Sequence, residues 1–256
     1  MTDSDRQSLA DIARAAAERI RWEMENGVVG YAKNVAETAQ KETAMPTSVA
    51  TVSVVASVAD GAASEAAEPA AALEALHRAI GNCTRCDLHR GRTRLVFGEG
   101  NPSARVVFVG EGPGRDEDSS GRPFVGAAGQ LLDKIIGAMG LSRDQVYICN
   151  VVKCRPPDNR PPTESESNIC GLFMRRQLSV IRPQVVVALG STAAAYLLGG
   201  KVPISRARGR FHEVDGIRIM PTYHPAYLLR NPAEKRAVWN DMQAVMQALG
   251  LPVKSK

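Results

Sequence analysis

A chain of 256 residues, 44% hydrophobic and 23% charged with a formal net charge of +5, can bury a core of ordinary size. No apolar run approaches the ~18 residues of a membrane span, and the polar, acidic N-terminus lacks the apolar stretch of a secretory leader; a soluble cytoplasmic protein with no membrane partner is expected. The charge is divided, with 6 basic against 11 acidic side chains in residues 1–71 and 26 against 16 in residues 72–256, so the second part suits a polyanionic partner or simply carries a solvated basic surface.

In chain order, Leu9, Ile12, Ala16, Ile20 and Met24 recur at helical spacing and predict an N-terminal helical segment over 1–41. Residues 42–70 are rich in Ala, Ser, Thr and Val without a clear period and predict a flexible linker. From 71 to 256 the pattern is that of a folded domain. AALEALHRAI predicts a short helix that runs into Cys83 and Cys86. Apolar runs at 105–110, 145–152, 184–190 and 217–224 predict strands. Helical patterns at 127–140, 164–181 and 191–200 lie between them, and a last helix closes the chain. Alternating strands and helices predict an α/β fold, a parallel sheet covered on both faces. Ligands of such sheets bind where the strands end, which singles out the loops after Gly110, Asn150, Gly190 and His224.

The loop after the first strand reads GEGPGRDEDSSGRPFVGAAG, residues 110–129. Its glycines permit close backbone approach. Asp116, Glu117 and Asp118 would repel a phosphate, and neither GxGxxG nor a Walker pattern is present. The loop is built for an electron-poor centre, or it is a turn with solvated acids. Asn150 ends the second strand and offers both a donor and an acceptor, the pair that reads an amide-like base edge; a lone strand-end Asn also caps turns. His224 ends the fourth strand, followed by Leu228, Leu229 and Arg230 in a loop. Apolar residues beside a cation can enter a base stack while the cation holds phosphate, or they anchor the loop to the core. An odd number of cysteines, five, in a chain expected to be cytoplasmic argues against a disulfide framework. Cys83, Cys86, Cys154 and Cys170 form a set of four suited to zinc or a [4Fe–4S] cluster, while Cys149 reads as a small buried residue.

Taken together, GEGPG at 110–114, ED followed by GRPFVG at 117–126, NVVKCRPP at 150–157, HPAYLLR at 224–230 and the four-cysteine pattern resemble the family 4 (type a) iron–sulfur uracil-DNA glycosylases. The similarity covers about residues 72–250. It implies a three-layer αβα sandwich around a four-stranded parallel sheet, and a [4Fe–4S] cluster of structural role on Cys83, Cys86, Cys154 and Cys170. By the same resemblance, uracil flipped out of single- or double-stranded DNA is stacked by Phe124, read by Asn150 and faced at O2 by His224. Glu111 and Glu117 occupy the two acidic positions, Glu117 being the one expected to position the water. Gly112 stands in the base pocket where the family usually has Ala, and Gly114 where some members of the superfamily place a Tyr. Leu228 or Leu229 would fill the gap left by the base, and Arg230 would grip phosphate. The reaction expected is hydrolysis of the N-glycosidic bond by a monofunctional enzyme, which leaves an abasic site for base excision repair. A monomer associated with the nucleoid is expected, its N-terminal segment free to recruit a replication or repair partner. The alternatives are an iron–sulfur redox protein and a non-catalytic DNA-binding module.

Overall fold

A computed structural model describes residues 61–200 and 203–253. The helix expected before residue 41 and the linker as far as residue 60 lie outside the described residues. Helix α1 spans Gly61–Ile80, so helical structure begins ten residues ahead of the expected boundary. Its alanine-rich sequence favours helix strongly, and composition alone does not separate such a stretch from a linker.

The sheet holds six strands: β1 (Glu99–Gly100), β2 (Val106–Gly110), β3 (Tyr147–Asn150), β4 (Val185–Leu189), β5 (His212–Val214) and β6 (Ile217–Thr222). Their order is β1-β3-β2-β4-β6-β5. The four central strands are parallel, as expected. The two edges are antiparallel additions, two and three residues long, too short to leave a period in the sequence.

Every residue of β2, β3 and β4 is buried, which explains their unbroken apolar runs. Val106, Phe108, Ile148, Val185 and Val187 belong to one core with Leu132 and Ile136 of α3 (Ala127–Ala138) and Val238, Met242 and Val245 of α8 (Lys235–Ala248). The alternate positions Val107, Val109, Val186 and Ala188 are fully buried against the other face. There α4 (Glu164–Ile181) sends Gln177 to Tyr147, and α5 (Ser191–Leu198) follows directly from β4. Two helical layers thus enclose the sheet. Thr163 caps α4 through a reciprocal bond with Glu166, and Arg160 holds the same Glu166 with two hydrogen bonds. No described helix is long and apolar enough to cross a membrane.

Two segments expected as loops are helical: α2 (Arg115–Ser120) after β2, and α7 (Pro225–Arg230) after β6. The short helix α6 (Ile204–Ala207) lies between α5 and β5.

Candidate functional site

The carboxyl ends of β2, β3, β4 and β6 open into one cavity of about 750 Å³. Glu111, Gly112, Glu117, Phe124, Asn150, His224 and Arg230 all line it. They come from segments more than a hundred residues apart, and the parallel topology brings their strand ends to one edge of the sheet.

Asn150 ends β3 and is 1% exposed. Its Oδ1 is buried without a hydrogen-bond partner among the described residues. A buried amide oxygen left unpaired costs roughly 1–3 kcal/mol, so the geometry stores a vacant acceptor at the cavity wall. Gly110 makes the arrangement possible. A Cβ there would stand 2.3 Å from Asn150 Oδ1 and 2.5 Å from Phe124 Cζ.

Phe124 is held in the left-handed region at φ 53°, with its ring 5.6 Å from the ring of His224 and tilted 32° to it. Two charged side chains fix this backbone. Glu117 Oε1 accepts from the N–H groups of Val125 and Gly126, both at 2.9 Å, and Oε2 accepts from Gly114 N–H at 3.1 Å. Arg143 donates to the carbonyls of Phe124, at 3.0 Å, and Pro123, while also pairing with Glu99 and Asp133. Sequence reasoning missed Gly110 and Arg143. Gly110 stood inside the first motif, whereas Arg143 follows a helix with no pattern to mark it.

Of the three acids of the first loop, Asp116 is exposed and the other two are engaged with backbone. Asp118 is 3% exposed and accepts from the N–H groups of Thr93 and Arg94. Glu117 accepts from backbone with both oxygens, which makes it a lock of the aromatic loop. Glu111 is the less committed acid: Thr192 donates to its Oε2 at 2.5 Å. The missing methyl of Gly112 would point at Val152 Cγ2, 2.6 Å away, and a Cβ on Gly114 would meet Glu117 Oε2 at 2.7 Å. Glycine at 112 therefore removes a clash with Val152, and glycine at 114 makes room for the Glu117 carboxylate.

His224 caps α7: its Nδ1 accepts from Ala226 N–H at 3.1 Å. The ring proton then sits on Nε2. The surrounding protein lowers its pKa to about 4, chiefly by burial and then by the positive charge of Arg230, with Glu117 opposing. A neutral imidazole with a donating Nε2–H results. Gly190, at φ 90°, lets β4 approach His224, whose Cβ would lie 3.1 Å from any added methyl.

The two leucines of the motif separate. Leu228 is 1% exposed and packs in the core, so it cannot enter a base stack. Leu229 is 47% exposed beside the exposed Arg230. Neighbouring residues on a helix point about 100° apart, which decides between them.

Cys83, Cys86, Cys154 and Cys170 border a second, small cavity together with Ile80, Lys153 and Phe173. Cys149 does not; it is fully buried next to Asn150. Three of the four sulfurs accept hydrogen bonds: Cys83 from Arg85 at 3.4 Å, Cys154 from Arg92 at 3.3 Å and Cys170 from its neighbour's backbone, Lys153 N–H, at 3.2 Å. Arg92 also holds Asn82 and the Cys83 carbonyl, tying the CxxC turn to the Cys154 loop. Burial pushes the thiols of Cys86 and Cys154 up and that of Cys170 to about 12, and the cysteines raise one another. Among the described residues, no three His, Cys, Asp or Glu side chains are grouped as ligands of one metal ion.

Comparison with known proteins gives the family. The uracil DNA glycosylase superfamily matches residues 97–243. The type-4 uracil-DNA glycosylase of Thermotoga maritima is 49% identical over 175 residues, covering 67% of this chain and 91% of that protein. The chain is also similar to the type-4 uracil-DNA glycosylases of Archaeoglobus fulgidus (43% identical, 70% of this chain and 94% of that protein) and Sulfurisphaera tokodaii (41%, 69% and 84%). The chain belongs to the uracil DNA glycosylase superfamily and, within it, to the type-4 uracil-DNA glycosylases.

Proposed function

We propose that this protein excises uracil from DNA by hydrolysing the N-glycosidic bond, and that the vacant Asn150 Oδ1 is the observation that carries the reading. Uracil presents N3–H, a donor, beside O4, an acceptor. Asn150 Oδ1 accepts from N3–H while its Nδ2 donates to O4. Cytosine presents the opposite pair and would leave both groups buried and unmet, a large penalty.

The base reaches the cavity only after leaving the helix, at a cost of a few kcal/mol. Leu229 fills the gap left in the stack, and Arg230 holds phosphate nearby. Phe124 stacks on the extruded ring, its position set by Glu117 and Arg143. As the glycosidic bond breaks, negative charge grows on uracil O2 and positive charge on the sugar. His224 donates its Nε2–H to O2, a fixed donor aimed at the charge as it develops. Glu111, steadied by Thr192, orients the attacking water and favours the cationic sugar. The proton and hydroxyl of that water end on uracil and on C1′, so no covalent intermediate is required.

Cys83, Cys86, Cys154 and Cys170, which border one small cavity, would hold a [4Fe–4S] cluster. In a cluster each thiolate binds its own iron, so the sulfurs can stand apart round a shared cavity; a single zinc would need all four within about 2.3 Å of one point. Bound there, the group supplies a structural cross-link between the CxxC turn, the loop after β3 and α4. The N–H groups aimed at sulfur suit thiolates.

The test is base release. The protein is incubated with matched oligonucleotides carrying uracil or cytosine, and abasic sites are cleaved with alkali. Uracil strands are cut and cytosine strands are not. Asn150→Ala lowers the uracil rate about 10²- to 10³-fold, as for removal of one buried reading contact, and leaves nonspecific DNA binding intact. Full activity in that variant removes Asn150 from the site.

A further inference from the structure

Three residues beyond Asn150 the chain buries a lysine that the reaction as described does not use. Lys153 is 1% exposed. Its Nζ donates to the Asn150 carbonyl at 2.9 Å and to Gln177 Oε1 at 2.6 Å. Gln177, itself fully buried in α4, donates onward to the Phe97 carbonyl at 2.9 Å and to Tyr147 Oη at 3.1 Å. The main chain of Lys153 donates to Cys170 Sγ, and its carbonyl accepts from Val96 N–H at 2.8 Å. One residue therefore touches both the strand end that carries Asn150 and the wall of the cysteine cavity.

Burying an amine is costly, and an apolar chain of equal length would fill the same space at less cost. The feature that an apolar chain could not supply is the bond to the Asn150 carbonyl. That carbonyl lies where β3 leaves the sheet. The next two N–H groups, of Val151 and Val152, turn back to the carbonyls of Gly110 and Glu111 at 3.0 and 3.1 Å. A rotation of the Asn150 peptide would carry the Asn150 amide with it, in a pocket where Gly110 already leaves no slack.

We propose that Lys153 is a positioning residue for base reading: it pins the Asn150 carbonyl, and Gln177 and the cysteine-bearing helix α4 anchor the pin. The inference rests on Asn150 being the side chain that reads uracil. Lys153 itself touches no substrate.

Two variants separate positioning from mere stability. Lys153→Met keeps the length of the side chain and leaves both the Asn150 carbonyl and Gln177 Oε1 without their donor. Gln177→Leu is the control: it leaves the bond from Lys153 to the Asn150 carbonyl in place while taking the acceptor from Lys153 Nζ and the donor from the Phe97 carbonyl and Tyr147 Oη. For both variants and the wild-type protein, kcat and KM for uracil release, inhibition by free uracil, the thermal midpoint and iron content per chain are measured. The expected kcat is about 10- to 100-fold lower in Lys153→Met, the scale of loss when a contact is misplaced by about an ångström, and only a few-fold lower in Gln177→Leu. KM for DNA stays within about twofold, because binding to the strand is untouched. Inhibition by free uracil weakens in Lys153→Met, and iron content is unchanged in both. The thermal midpoint falls in both variants, so rate and stability part company. The proposal is overturned if kcat falls in step with the thermal midpoint across the two variants, if the loss of rate follows a loss of iron, or if Lys153→Met turns over at the wild-type rate. A wild-type protein that releases no uracil overturns the base-reading assignment and this inference with it; an active wild-type protein beside an equally active Lys153→Met overturns this inference alone.

Discussion

Two cavities share the stretch from Asn150 to Cys154, and they are finished to different degrees. The large one is open and keeps one acceptor vacant, while its other groups are locked from behind by Glu117, Arg143 and Thr192. The small one is lined by four thiols, three of whose sulfurs already receive hydrogen bonds. On the function proposed above, the first takes a base that comes and goes and the second would hold the cluster. The difference shows in the charges. Burial pushes the Cys170 thiol up to about 12. The His224 ring is pushed down, which keeps it neutral until negative charge appears on the base.

The largest effect expected from breaking this contrast is in the small cavity. Cys154→Ser removes one sulfur together with the anchor of Arg92. The visible absorption of the purified protein should disappear and its thermal midpoint fall, the loss of a metal centre being among the few single changes that cost a fold several kcal/mol. An unchanged spectrum takes Cys154 out of the ligand set. Next comes the pH profile of uracil release. With His224 near 4 rather than 6.5, release should show no step at the ordinary imidazole value and should decline on the acid side near pH 4, where the ring protonates. Stability carries the same sign. Between 6.5 and about 4 the unfolded chain takes up a proton that the folded ring refuses, so stability falls as pH falls through that window. A titration step near 6.5 that His224→Gln abolishes would contradict the neutral ring. The smallest effect is at the rim. Leu229→Ala should slow release from duplex DNA several-fold, less than the roughly tenfold or more that full burial of a leucine is worth, and barely change release from a single strand, which has no stack to refill. Equal losses on both substrates would argue against the wedge.

Much of this was legible in the chain. VVFVG and VVVAL announce strands buried on both faces, and the four motifs fall at the strand ends that converge. What escaped has physical reasons. The edge strands are too short to show a period. The choice between Leu228 and Leu229 depends on a helical turn that the motif does not advertise. The work of Glu117 is invisible because its partners are main-chain N–H groups, which every residue but proline carries. Arg143 acts on carbonyls about twenty residues upstream, and no local pattern encodes that reach.

The left-handed backbone at Phe124 has one more consequence. A bulky side chain in that conformation costs roughly 1–2 kcal/mol relative to glycine. The fold tolerates a sprung hinge at this point in exchange for the placement of one ring. Phe124 is also 5% exposed within the core cluster, so glycine there would forfeit about 3–5 kcal/mol of packing to relieve that smaller backbone cost, and selection for thermal endurance would hold the ring in place as firmly as selection for turnover.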